Sequence, residues 1–168
     1  STAMANSPDW TEYDRLLQRY VVGGTTGGIE LHQVDYVGLG QDPGFAELVD
    51  ELAAFPLQQL DGRDETLAFY INAYNILALK LVIDNSPLQS IKDVGNGFRP
   101  VWKHPAGVVD GEPVSLHEIE HELLRKMYEP RIHFAIVCAS VSCPDLRMEA
   151  YRPRRLDEQL DSQCTDFL

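Results

Sequence analysis

One histidine, two cysteines and two serines fall within Pro130–Leu146, PRIHFAIVCASVSCPDL, and together they could carry out nucleophilic chemistry on a carbonyl. Cys143 precedes Pro144-Asp145, a proline and an acid in the positions that open a helix. A thiol there would face free amide N–H groups and the positive end of the helix dipole, which favour the thiolate. Arg131–Cys138 is an apolar, β-preferring run that reads as a buried strand, so His133 is expected inside, within reach of a thiol as its base. Cys138 and Ser142 are expected beside it as substrate-contacting or supporting groups. The plainer account of the same residues is packing, since a free cysteine behaves as a small hydrophobe and a core histidine is often only packed.

Ser115–Tyr128 supplies the third group. Ser115 and Glu118 have capping-box spacing, and Leu116, Ile119, Leu123, Leu124 and Met127 form a core stripe at helical period. Glu120 lands inside that stripe, where a carboxylate is costly unless a histidine, an arginine or a hydrogen-bond donor meets it. It could fix the tautomer of a histidine, as the third member of a triad does, with His133 the expected base and His121 its substitute. The letters His117-Glu118-Ile119-Glu120-His121 also satisfy H-E-x-x-H, in which histidines four apart share zinc; His133 would complete that set. Glu118 is already explained by capping, and no third ligand follows on the helix, so no metal or other cofactor is expected.

A long helix over 64–84 is apolar nearly all round and is expected at the centre of the domain. Asn72 and Asn75, neighbours on one surface of it, must find hydrogen-bond partners. They would either tie the helix to irregular backbone or serve the site by orienting a histidine or polarising a carbonyl. Upstream, Ser7-Pro8 can cap a helix with Trp10, Tyr13, Leu16, Leu17 and Tyr20 on one face. The Gly23–Gly28 run, GGTTGG, lacks the lysine and context of a phosphate loop and reads as a turn. Phe45–Phe55 is helical until Pro56; residues 86–111 form a long connection with a short strand near Val108. His104 reads as a solvated loop histidine. Leu156, Leu160, Cys164 and Phe167 make a last helical stripe with Cys164 as a core thiol.

The 168 residues suit one domain, and a 44% hydrophobic content excludes a disordered chain. A net charge of −12, from 26 acidic and 14 basic residues, argues against nucleic acid as a partner. No apolar run is expected to cross a bilayer. Residues 1–6 read as an expression scar and disordered lead-in, with the domain over 7–168. If Met4 is the native start the protein is expected in the cytoplasm, with export as the alternative. Three cysteines point to reduced thiols rather than a disulfide framework.

The motifs are similar to those of the domain of unknown function 547 (DUF547) family: Asn72-Ala73-Tyr74-Asn75 within Phe69–Leu79, Ser115-Leu116, Ile119-Glu120-His121, Leu124-Arg125, PRIHFAIVCASVSCP with Leu146-Arg147, Ala150-Tyr151 and Leu156–Leu160. The resemblance runs from about Trp10 to the end and is dense from Leu67. It implies weight on the Glu120-His121 pair rather than on His117, and a family pattern that continues past Leu168. It also brings relatives in plants with an N-terminal coiled coil and exported relatives in bacteria. It does not imply an activity.

The sequence thus predicts an α+β domain: several helices around a long buried central helix, packed on a small sheet that contains Arg131–Cys138. It favours a cysteine-dependent hydrolase or acyltransferase acting on a peptide, amide or ester, with Cys143 as nucleophile, His133 as base and Glu120 orienting it. Histidine before cysteine reverses the papain order and would require a permuted papain-like or an unrelated scaffold. The alternatives are a non-catalytic protein-interaction module and a zinc hydrolase on the HEIEH helix.

Overall fold

The computed structural model describes residues 8–26, 29–85, 103–137 and 146–167. Its elements are arranged around a helix that is buried along most of its length. Helices α1 (Thr11–Tyr20), α2 (Tyr36–Gln41) and α3 (Pro43–Ala54) precede that central helix, α4 (Arg63–Asp84). Two antiparallel hairpins complete the α+β architecture: β1 (Val21–Thr26) with β2 (Ile29–Val34), and β3 (Pro105–Val109) with β4 (Glu112–Ser115). A mixed helix, a short α5 (Ile132–Ala135) and α6 (Leu156–Phe167) close the described chain.

Helix α4 starts where the sequence can turn sharply: Gly62 sits at φ 85°, a left-handed conformation that suits glycine. It ends at Asn85, whose side chain donates to the Leu81 carbonyl. Between these caps Leu67, Phe69, Ile71, Ile76, Leu77 and Leu79 are almost wholly buried. Fully burying a side chain of this size is worth about 1.5–3 kcal/mol, so α4 anchors the core. By length and composition alone α4 is apolar enough to cross a membrane, contrary to the expectation from sequence; 78% of its apolar window is buried against the rest of the domain.

Several expectations are corrected. Gly23, Gly24, Thr25 and Thr26 do not form a turn; they are strand residues paired with His32, Leu31, Glu30 and Ile29. Glycine is a poor strand former in isolation, but a partner strand that takes up its N–H and C=O groups outweighs propensity. Trp10 is the N-cap of α1 and makes no side-chain cap, Asp9 just before it accepts from the Thr11 N–H at 2.9 Å, and Ser7, the expected cap, lies outside the described residues. His104 is half-buried at the entry to β3. Cys164 is half-buried rather than in the core; the buried face of α6 carries Leu156, Gln159, Leu160 and Gln163.

The largest correction concerns Arg131–Cys138. Residues Ile132–Ala135 are a helical turn followed by an extended Ile136, and His133 is exposed to solvent. Glu129 and Arg131 fix this turn. The Arg131 guanidinium holds Glu129 at 2.6 Å and reaches Asp157 and Asp161 on α6 at 2.8 and 2.7 Å. The small sheet expected around this segment is therefore two separate hairpins built from other residues.

Candidate functional site

The helix that carries Glu120 is irregular in a way that shapes the site. Ser115 and Glu118 form the expected capping box: the Glu118 N–H donates to Ser115 Oγ at 3.1 Å, and Glu118 Oε1 accepts from the Ser115 hydroxyl and N–H. After one α-turn the helix widens into a π-helix over Glu118–Leu124, tightens through Arg125–Met127 and stops at Tyr128, at φ 56°. Such π-turns recur at functional sites. Here the His117 and His121 rings, four residues apart, are tilted against each other, with centroids 4.5 Å apart and planes 38° from parallel.

Glu120 is half-buried rather than interior, with 22% of its side chain exposed, and its partner is a histidine: Oε2 lies 2.9 Å from His121 Nε2. A carboxylate at that nitrogen favours the Nε2–H tautomer and leaves Nδ1 as the proton acceptor. Tyr74 on α4 faces the same carboxylate. Burial first, and the charge of Glu120 second, push its hydroxyl up, so it stays a protonated donor. His117 Nδ1 is buried without a hydrogen-bond partner among the described residues.

The two asparagines of α4 are occupied by backbone. Asn75 Nδ2 donates to the Ala135 carbonyl at 2.9 Å, and its Oδ1 accepts from the Val137 N–H at 3.0 Å. Asn72 makes the same pair of bonds with Tyr151, both at 2.8 Å. Each amide thus does for an irregular segment what a neighbouring strand would do, which is why Ile136 and Val137 can be buried with no strand pairing among the described residues. Of the two roles open to them, the asparagines tie the helix to irregular backbone.

Of the expected site residues, Glu120 and His121 meet each other on the π-helix, and Tyr74 of α4, not among those expected, faces Glu120, while the two asparagines are turned to Tyr151 and to Ala135 and Val137. His133 does not join them through any hydrogen bond or ion pair. Its exposure removes the argument that it is a buried base. Nor do His117, His121 and His133 form a zinc set: among the described residues no three His, Cys, Asp or Glu side chains converge to hold a metal. Cys138, Ser142, Cys143 and the helix start at Pro144 lie outside the described residues; the buried Val137 and Leu146 flank them. Tyr74 was missed in the sequence, although its place between Asn72 and Asn75 on α4 was the available signal.

Residues 57–168, two-thirds of the chain, match the family model described as protein of unknown function, DUF547. The chain belongs to the DUF547 family. No curated protein and no solved structure matches it. The DUF547 match takes in α4, the π-helix, α5 and Tyr151, so the carboxylate–histidine pair and both asparagine clamps lie inside the family region.

Proposed function

We propose that this DUF547 domain is a cysteine-dependent hydrolase or acyltransferase acting on a peptide, amide or ester carbonyl, with Cys143 as nucleophile and His121 as base. The observation that carries the reading is the 2.9 Å approach of Glu120 to His121 Nε2, a histidine held by a carboxylate in the arrangement that nucleophilic sites use. A second support is Asn75, which fixes Ala135 and Val137 just before the cysteine-bearing segment.

In the proposed reaction His121 Nδ1 takes the Cys143 proton and the thiolate sulfur attacks the carbonyl carbon. The N–H groups of Asp145 and Leu146 stabilise the oxyanion. Collapse breaks the bond to the amine or alcohol, which leaves with the proton from His121. Water, or an acceptor nucleophile in acyl transfer, then cleaves the thioester, returning the proton to the histidine and the thiol to Cys143.

Iodoacetamide labelling at neutral pH tests this. Cys143 should react faster than Cys138 or Cys164; burial pushes the Cys164 thiol up, so it should be slow. His121→Ala should abolish the advantage of Cys143 in a folded protein. Equal, slow labelling of all three cysteines would leave the second reading, a non-catalytic interaction module, which the full engagement of Asn72 and Asn75 with backbone favours.

A further inference from the structure

On the side of the domain where α1, the start of α4 and the start of α6 meet lies an open cleft of about 440 Å³, lined by Trp10, Glu65, Arg152, Arg154 and Arg155 with Pro8 and Pro153 at its edges. A second cleft of about 420 Å³ shares Glu65, Pro153 and Arg154 with it and extends to Arg63. Volumes of this size suit small ligands.

The charge pattern is unusual for this chain. In a molecule of net charge −12, Arg152-Pro153-Arg154-Arg155 is the densest run of basic residues. The outer two arginines are held in place. Arg152 pairs with Asp14 at 2.5 Å, and Arg155 pairs with Glu149 and Glu158 at 2.9 and 3.2 Å. Arg154 is exposed and has no ion pair among the described residues, yet it lines both clefts. Pro153 fixes φ at the turn that presents it, which limits the backbone ordering that binding would require. Trp10, which also lines the cleft, is 3% exposed, and its buried indole N–H has no hydrogen-bond partner among the described residues.

We propose that this cleft binds a small oxyanionic ligand, its carboxylate or phosphate group held by Arg154 between the fixed guanidinium groups of Arg152 and Arg155, with Trp10 and the two prolines packing against the rest of it. A planar guanidinium fork matches both oxyanions in two-point geometry, and Arg154 is the arginine of this run whose charge no carboxylate meets among the described residues. Asp9 and Glu65 also line the cleft, so the bound oxyanion must be held by Arg154 against two nearby carboxylates.

The full chain is titrated with inorganic phosphate and, separately, with succinate at constant ionic strength, with sodium chloride as the control. The readouts are the indole N–H resonance of Trp10, assigned against a Trp102→Phe variant, and the melting temperature. Saturable movement of the Trp10 signal with at least one oxyanion, weakened tenfold or more in Arg154→Gln and partly restored in Arg154→Lys, is expected. Phosphate alone would identify a phosphate group as the ligand chemistry, succinate alone a carboxylate, and both the shared oxyanion. A linear, chloride-like response, or saturation that is unchanged in Arg154→Gln, would overturn the proposal. Arg154 makes no ion pair among the described residues, so the Gln variant is expected to melt with the parent.

Discussion

Asn72 and Tyr151 are joined by two hydrogen bonds of 2.8 Å, amide N–H to carbonyl and backbone N–H to amide oxygen, as opposed residues of an antiparallel sheet would be. Both residues are buried, at 0% and 1% exposure, so neither backbone group has water as an alternative partner. The side chain of a helix thereby acts as the neighbouring strand for a segment 79 residues away.

Asn72→Ala should therefore destabilise the domain by about 2–5 kcal/mol, because it strands both a buried N–H and a buried C=O. Asn72→Asp should be no better, since a carboxylate offers two acceptors to a site that needs one donor. Urea unfolding curves of the two variants check this; a loss below about 0.5 kcal/mol in both would mean that the paired bonds contribute little.

Glu120 is 22% exposed and its partner His121 30%, so water reaches both and the pair belongs with solvent-screened contacts rather than fully buried charges. Glu120→Gln and His121→Ala should each change stability by no more than about 1 kcal/mol. Each should nonetheless remove the selective labelling of Cys143, because the histidine loses its fixed tautomer or is absent. Melting curves run beside thiol-labelling rates separate the two effects. A large loss of stability with labelling unchanged would assign the pair a structural role.

The capping box gives a narrower expectation. Ser115→Ala removes the acceptor for the Glu118 N–H and the donor to its carboxylate, and should cost about 1 kcal/mol. Because the cap sits at the entry to the π-helix, the same variant should loosen the contact of His117 with His121. The imidazole resonances of the two rings report that directly.

Acid should weaken the fold through Glu149. Burial would raise its carboxyl, but hydrogen bonds from Arg147, Gln159 and Arg155 outweigh that and hold it at about 2, against an ordinary value of 4.5. A carboxylate depressed on folding contributes stability above its unfolded value and loses it as pH falls, here between about 4.5 and 2. With 30% of the side chain exposed, the contribution is about 1–2 kcal/mol after solvent screening. In Glu149→Gln the melting temperature at neutral pH should fall and its decline over that acid window should flatten.

Tyr128 tests backbone strain apart from contacts. It sits at φ 56° with 88% of its surface exposed, a left-handed position that costs a non-glycine residue about 1–2 kcal/mol. Tyr128→Gly should be neutral or stabilising by up to about 1 kcal/mol, as thermal melts will show, because the strain relieved offsets the added freedom of the unfolded chain.

The sequence by itself determined what depends on local pattern. The all-round apolar run over Leu67–Leu81 marked a long helix out of contact with water, Pro56 had to end α3, and the Ser115–Glu118 spacing carried its own cap. A carboxylate at position 120 demanded a partner, and a histidine supplied it. Only the tertiary structure decided what depends on distant partners. Arg131–Val137 has the composition of a strand, but a strand needs a neighbour for its backbone. Its last residues found the amide of Asn75 instead, while Arg131 locked the preceding turn against Glu129 and α6. That choice turned His133 outward. The four-residue spacing already put His117 and His121 on one face, but the widening of the helix over Glu118–Leu124 is not written in that spacing. Gly23–Thr26 became a strand for the same reason in reverse: with β2 alongside, backbone pairing outweighed what its glycines would do alone.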